Sequence, residues 1–143
     1  PKGSRDLSPY TRCHNYTHIG LDKSMLRHAE DTMVGVLIEG KEGIENLSEI
    51  VQVDGIDLIY LGMYDISQAV GLPGQLESPE VMEQLENCLK IIKSSNKFSG
   101  TFSRNIKTCK IFKKMGFNFI AYVADSYALN SYYSEAVNDF SIK

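Results

Sequence analysis

Apolar positions along the chain fall into two alternating patterns. "VGVLIE", 34–39, is a short unbroken apolar run, suited to a strand buried on both faces. "KEGIENLSEIVQ", 41–52, follows with Ile44, Leu47, Ile50 and Val51 on one stripe of a polar background, which predicts an amphipathic helix. Gly55 breaks that pattern, and "LIYLG", 58–62, reads as a second strand. Ser78, Pro79 and Glu80 compose a helix start: a cap, a proline in the first turn and an acid at the positive end. Val81, Leu85, Cys88, Leu89 and Ile92 form the buried stripe of that helix. "KFSGTF", 97–102, is a third strand, and "RNIKTCKIFKKM", 104–115, is a helix stopped by Gly116. "NFIAYVAD", 118–125, is a fourth strand, with a last helix over 127–138. "YDISQAVGLPGQLES" reads as a loop, longer than the roughly two to six residues usual between strand and helix. Long loops at such places often carry function.

Strand followed by helix, four times over, defines the α/β class with parallel strands and right-handed crossovers. An open doubly wound sheet and part of a (β/α)8 barrel both fit. Length alone favours the open sheet, because a full barrel typically needs about 250 residues. No G-x-G-x-x-G or G-x-x-x-x-G-K-[ST] follows the first strand, so a nucleotide-binding sheet has no support. Residues 1–33 read as a polar loop region, 34–138 as the β/α repeats, and 139–143 as a tail.

Composition narrows the partners. The 143 residues are 43% hydrophobic and 23% charged, the balance of a soluble globular protein. The net charge of −3 lacks the basic excess of a nucleic-acid binder. Lysines between Lys90 and Lys114 lie on two predicted helices and read as solvated faces. Cys13, Cys88 and Cys109 are odd in number and widely spaced, without a C-x-x-C pair for zinc or a disulfide framework. Cys88 and Cys109 fall on apolar stripes as small core residues, which fits a reducing cytoplasm. No apolar run approaches about 18 residues and no signal-peptide pattern occurs, so neither membrane nor secretion is expected.

Two acids carry the candidate chemistry. Glu39 and Asp65 stand where neighbouring strands run out. Adjacent parallel strands lie about 4.8 Å apart, so the two side chains could converge. Two carboxylates repel unless a cation or a proton sits between them. Hard oxygen ligands without nearby His or Cys suit Mg²⁺ or Mn²⁺. Caps explain the same residues: Glu39 before Gly40 could cap the next helix, and Asp65 could close an Asx turn with Ser67. Asp125 reads as a helix N-cap. Spacing alone leaves metal pair and caps both open.

"VGVLIEGKEGIENLSEI", "VDGIDLIYLGMYDISQAVGLPG" and the upstream "GSR" with "SPYTR" resemble the HpcH/HpaI aldolase family, metal-dependent class II pyruvate aldolases of the phosphoenolpyruvate/pyruvate barrel superfamily. That family shows a Q-I-E or M-I-E strand end, then a G-v-D stretch leading to G-P-x-D-L-S and a G-x-P-G loop. The resemblance implies the C-terminal half of a (β/α)8 barrel, about strands 5 to 8, with residues 1–33 preceding strand 5. It implies reversible aldol cleavage of a 2-keto acid into pyruvate, or a close relative, and an aldehyde. A divalent Mg²⁺ or Mn²⁺ would bind the keto and carboxylate oxygens of pyruvate and stabilise the enolate. By position Glu39 and Asp65 would be its ligands. The backbone N–H groups of Tyr64 and Asp65 would hold the pyruvate carboxylate, and Gly62 would let the backbone approach.

Several positions depart from the family pattern. Leu37 stands where the family has glutamine, Met63 where it has proline, Ile66 where it has leucine, and Asp6 where the loop has a second glycine. The family's general-base histidine and enolate-binding arginine come from earlier strands. His14, His18, His28, Arg5 and Arg12 do not match them and read as loop or surface residues. Pro1 in place of Met and the half-barrel content are read as a fragment of a full aldolase. A half-barrel pairing with another chain, or a non-catalytic binding or assembly module, stays open. In the family this end of the barrel packs against a neighbouring subunit, which implies a homo-oligomer contact for Tyr132 and Tyr133 on the last helix; a core or surface role fits them equally. The aldehyde co-substrate is not encoded in these motifs.

Overall fold

A computed structural model describes residues 8–12, 16 and 31–141. The chain divides into two compact units, residues 1–33 and 34–143. In the first, Thr11 Oγ1 donates to the Ser8 carbonyl at 3.2 Å and the Thr11 carbonyl accepts from the Tyr16 amide at 3.0 Å. Arg12 is exposed. The expectations for Arg5, Asp6, Cys13, His14, His18 and His28 lie outside the described residues.

The second unit alternates strand and helix as its pattern predicts. Strands β1 (Gly35–Ile38), β2 (Leu58–Leu61), β3 (Phe98–Ser103) and β4 (Phe119–Tyr122) form one sheet in sequence order, and every pair is parallel. The order never reverses, so this sheet has no switch point of the doubly wound kind. The open-sheet expectation from length gives way to the one-way progression that barrels use. The helices are α1 (Lys41–Glu45), α2 (Leu47–Ile50), α3 (Met63–Ala69), α4 (Pro79–Lys93), α5 (Ile106–Met115) and α6 (Asp125–Phe140).

Local chemistry explains most boundaries. Ser78 Oγ accepts from the Val81 amide and starts α4, with Pro79 in the first turn. Asn105 Oδ1 accepts from the Thr108 amide at 2.9 Å and starts α5. Gly116, at φ +98, ends α5 in the left-handed conformation. Three elements differ from expectation. The helix expected over 41–52 breaks at Asn46 into α1 and α2, where Gly43 and Asn46 lower helix propensity. The loop expected from Tyr64 begins as α3, because Met63, Ile66, Ser67 and Val70 recur at helical spacing. Strand β4 stops at Tyr122, Val123 turns at φ +57, and Asp125 opens α6 with Ala124 as the cap.

Helices α1 to α5 cover one face of the sheet. Ile38, Ile59 and Leu61 meet Leu47, Val81, Leu85, Cys88 and Ile92 in a continuous buried core. The stripe on α4 is the one its sequence predicts. Cys109 is only half-buried, short of the core position expected for it. Strand β3 brings a polar row into this layer, and each member is paired. Ser99 Oγ donates to Asn118 Oδ1 at 3.1 Å, Thr101 Oγ1 donates to the Leu61 carbonyl at 3.1 Å, and Ser103 bonds Thr108. Burial without these partners would cost about 1–3 kcal/mol per group.

The opposite face is apolar, and several of its described residues are exposed. Parallel register stacks its side chains in rows: Gly35, Leu58 and Phe98, then Leu37, Tyr60, Gly100 and Phe119. The Tyr60 and Phe119 rings meet edge to face, 6.2 Å apart, over Gly100. A Cβ on Gly100 would stand 2.8 Å from Tyr60 Cδ2, so only glycine fits there. Leu37, Phe98 and Phe119 remain about half exposed, at 54%, 50% and 48%. Every residue of α6 is exposed. Among the described residues no helix is long and apolar enough to cross a membrane.

The covered face carries the stability of this unit. Leu85→Ala in α4 is expected to cost about 2–5 kcal/mol in urea unfolding. Glu86→Ala, one residue on and solvated, is expected to stay within about 0.5 kcal/mol of the parent.

Candidate functional site

The register that builds the apolar face also builds its upper rim. Extending β1 and β2 by one residue sets Glu39 beside Gly62, and the Gly62 amide donates to the Ile38 carbonyl at 2.9 Å. Extending the β2–β3 and β3–β4 registers adds Phe102 and Ala121, so Glu39, Gly62, Phe102 and Ala121 form the third row. This row lies at the carboxyl ends of the strands, where α/β folds bind ligands. Glu39 is half-buried. A Cβ on Gly62 would stand 2.9 Å from Glu39 Cβ, 3.0 Å from its Oε2 and 3.3 Å from Leu37 Cδ1. Glycine is therefore what lets the carboxylate lie against the end of β2.

Gly62 is also the N-cap of α3, and Met63, Tyr64 and Asp65 form its first turn. Their N–H groups precede the first intrahelical bond, from the Ile66 amide to the Gly62 carbonyl at 3.0 Å. Met63 and Ile66 point into the buried layer, while Tyr64 and Asp65 are exposed. The Tyr64 ring tilts against Phe102 with centroids 6.2 Å apart, which brings it to the third row. Glu39 and Gly62 thus meet at the strand ends, and Tyr64 and Asp65 follow in the helical turn that leaves Gly62.

The capping alternatives do not describe these acids. Gly40, not Glu39, is the N-cap of α1, and it makes no side-chain cap bond. Asp65 closes no Asx turn: no bond runs from the Ser67 amide, which lies inside α3, to the Asp65 carboxylate. The Ser67 hydroxyl donates to the Tyr64 carbonyl at 2.5 Å and accepts from the Gly74 amide at 2.9 Å. Among the described residues neither Glu39 nor Asp65 has a hydrogen bond or an ion pair; the Lys41–Glu45 pair involves neither. Asp125 likewise is not an N-cap; its Oδ1 accepts from the neighbouring Ser126 amide at 2.7 Å.

Glu39 and Asp65 offer oxygen donors of the kind a small hard cation takes. The Glu39 carboxylate is half-buried, has no partner among the described residues and lies in a cradle that a Cβ would fill. The described residues hold no cluster of three or more His, Cys, Asp or Glu. Mg²⁺ commonly takes one or two protein carboxylates and completes its shell with water and substrate oxygens, so two acids are a sufficient donor set. Among the described residues no thiol stands beside these acids. Cys88 lies on the buried stripe of α4, where burial pushes its thiol above the usual range. Burial also raises the Tyr60 phenol, one row below the rim.

A groove lies away from these two acids. It measures about 150 Å³ and lies behind the rim, lined by Met63, Leu76, Met82, Phe102, Arg104 and Phe112 among others. Neither Glu39 nor Asp65 lines it. Two features of the rim were absent from the sequence reading: Phe102 in the third row, and the bond from Gly74 to Ser67. The first follows from strand register and the second from a loop folding back on a helix, and neither has a local sequence signal.

A progressive parallel sheet backed by helices is the arrangement of barrel-type α/β proteins, which bind ligands at the carboxyl ends of their strands. A profile of the HpcH/HpaI aldolase/citrate lyase family matches residues 4–130. The chain belongs to the HpcH/HpaI aldolase/citrate lyase family. It is 33% identical over 120 residues to a 4-hydroxy-2-oxo-heptane-1,7-dioate aldolase of Salmonella heidelberg (strain SL476), covering 83% of this chain and 42% of that protein. Solved structures agree on the fold. An HpcH/HpaI aldolase from Desulfitobacterium hafniense DCB-2 superposes with a TM-score of 0.85 at 20% identity, covering 100% of this chain and 56% of that one. A family protein from Burkholderia cenocepacia J2315 gives 0.82 at 21% identity, covering 99% and 55%. The chain spans less than half the length of the curated relative and about half that of the solved ones.

The contact between Gly62 and Glu39 is directly testable. Gly62→Ala is expected to cost about 1–3 kcal/mol in urea unfolding, because the new methyl meets the Glu39 side chain. Gly40→Ala, where a Cβ meets nothing within 4 Å, is expected to be tolerated.

Proposed function

We propose that this chain contributes the metal and keto-acid side of a class II aldolase, a carbon–carbon lyase acting on 4-hydroxy-2-keto acids. The observation that carries the reading is the partnerless Glu39 carboxylate against Gly62, with Asp65 in the helical turn that leaves Gly62. Cleavage breaks the bond between carbons 3 and 4. The 4-hydroxyl loses its proton and becomes an aldehyde, and carbon 3 gains a proton to give pyruvate. Glu39 and Asp65 would hold a divalent Mg²⁺ or Mn²⁺. That ion would supply Lewis acidity toward the keto and carboxylate oxygens. The Tyr64 and Asp65 amides would receive the substrate carboxylate, and Gly62 would leave room for it. Tyr64 and Phe102 would close one side of the rim against water. The dioate named for the Salmonella relative makes a dicarboxylic keto acid the first substrate to try.

The four β/α units are, in this reading, the C-terminal half of a (β/α)8 barrel. The exposed rows on the apolar face support it, since a barrel interior packs such layers against the remaining strands. The family's general-base histidine and enolate-binding arginine would then stand on strands preceding β1. Homo-oligomer formation has its own support. Leu129, Tyr132, Tyr133, Ala136, Val137 and Phe140 recur at helical spacing on α6, and all are exposed.

Two experiments test these readings. Calorimetric titration with Mn²⁺ should show binding that pyruvate tightens, and Glu39→Ala or Asp65→Ala should abolish it. A folded chain that binds no Mn²⁺ under either condition would refute the metal role. In light scattering, the chain should have a mass above one copy, and Tyr132→Ser with Val137→Ser should lower it. An unchanged mass would remove α6 from the contact.

A further inference from the structure

We propose that Ser67 is a positioning residue for this site, locking the Tyr64–Asp65 turn to the Gly71–Gly74 loop and so setting the affinity for the divalent cation. The inference rests on the reading of Asp65 as a ligand, and names the group that holds that ligand in place. Ser67 is fully buried in α3. Its hydroxyl donates to the Tyr64 carbonyl, one turn back, and accepts from the Gly74 amide, seven residues on. The Ser67 carbonyl accepts a further bond, from the Leu72 amide at 2.8 Å. One residue therefore joins the first turn of α3 to both arms of the following loop.

The loop is shaped to make that junction. Gly71 and Gly74 both lie at positive φ, +81 and +77, and Pro73 stiffens the span between them. Gly74 has open space where a Cβ would be, so its left-handed backbone, not crowding, calls for glycine. Asp65 has no bond of its own among the described residues, and α3 has only seven residues. A helix so short is not held by its own propensity. The placement of Asp65 depends on what anchors its turn: Met63 and Ile66 by burial, and Ser67 by direction. Groups that orient ligands from behind typically alter metal affinity roughly ten- to a hundredfold when removed.

The test is Mn²⁺ affinity in the full chain, read by the electron paramagnetic signal of free Mn²⁺ beside thermal unfolding. Ser67→Ala is expected to weaken Mn²⁺ binding by roughly tenfold or more. Ser99→Ala, a buried hydroxyl at the far end of β3, is expected to lower the melting temperature and leave Mn²⁺ affinity unchanged. Ser67→Thr keeps the hydroxyl and is expected to bind more tightly than Ser67→Ala even where its added methyl lowers stability. Gly74→Ala strains the loop from its other end and is expected to weaken Mn²⁺ in the same direction, which serves if Ser67→Ala does not fold. Parental affinity in Ser67→Ala and Gly74→Ala, with binding lost in Asp65→Ala, would overturn the inference and leave the metal reading standing. Absence of Mn²⁺ binding in the parent would overturn both.

Discussion

Gly35 pairs with Leu58 and Ile38 with Leu61, and this parallel ladder decides where Glu39 goes. Side chains alternate between the two faces of a strand, so a slip of one residue between β1 and β2 would change every partner on that edge. Glu39 would then face the layer of Ile38, Leu47 and Val81, where an unpaired carboxylate carries a large desolvation cost. The burial of Ile38, Ile59 and Leu61 against the helices fixes the register from one side. Gly62 fixes it from the other, because only its missing side chain leaves room for Glu39. Rim and core are thus two consequences of one pairing.

The two faces of the sheet are energetically unequal. The helical face is packed and its polar groups are paired, down to Ser99, Thr101 and Ser103. On the apolar face, Leu37, Phe98 and Phe119 keep about half their surface in contact with solvent. Full burial of such a side chain is worth about 1.5–3 kcal/mol, so these rows hold several kcal/mol of unrealised stabilisation. Covering them would also remove water from around Glu39 in the next row and strengthen its attraction for a cation. A cover on this face would therefore act on stability and on chemistry together.

Much of this was readable in the sequence, and the reasons are local. The α4 stripe, the Ser78 and Asn105 starts and the Gly116 stop each depend on a few adjacent residues. Glu39 and Asp65 stood out because an acid at the end of an apolar run is a local anomaly. The break at Asn46 was hidden because Ile44, Leu47 and Ile50 keep helical spacing across it. α3 was hidden because its polar half, Tyr64, Asp65, Ser67 and Gln68, looks like a loop. Only the burial of Met63, Ile66 and Ser67 reveals the helix. Phe102 could be placed at the rim only once the β2–β3 register was known.

The two carboxylates are held by unlike means. Glu39 follows a strand fixed along its length by ladder bonds, and it leans on backbone at Gly62. Its position is as rigid as the sheet. Asp65 sits in the first turn of a short helix whose direction depends on one buried hydroxyl and a glycine loop. A cation between them would therefore meet one ligand held by the sheet and one held through a loop contact. Mg²⁺ demands near-octahedral geometry at about 2.1 Å, so both supports would have to hold their acids in place. The Asp65 side also carries the Tyr64 and Asp65 amides. Substrate binding at those amides and metal binding at Asp65 would act on the same turn, so each would favour the placement the other needs.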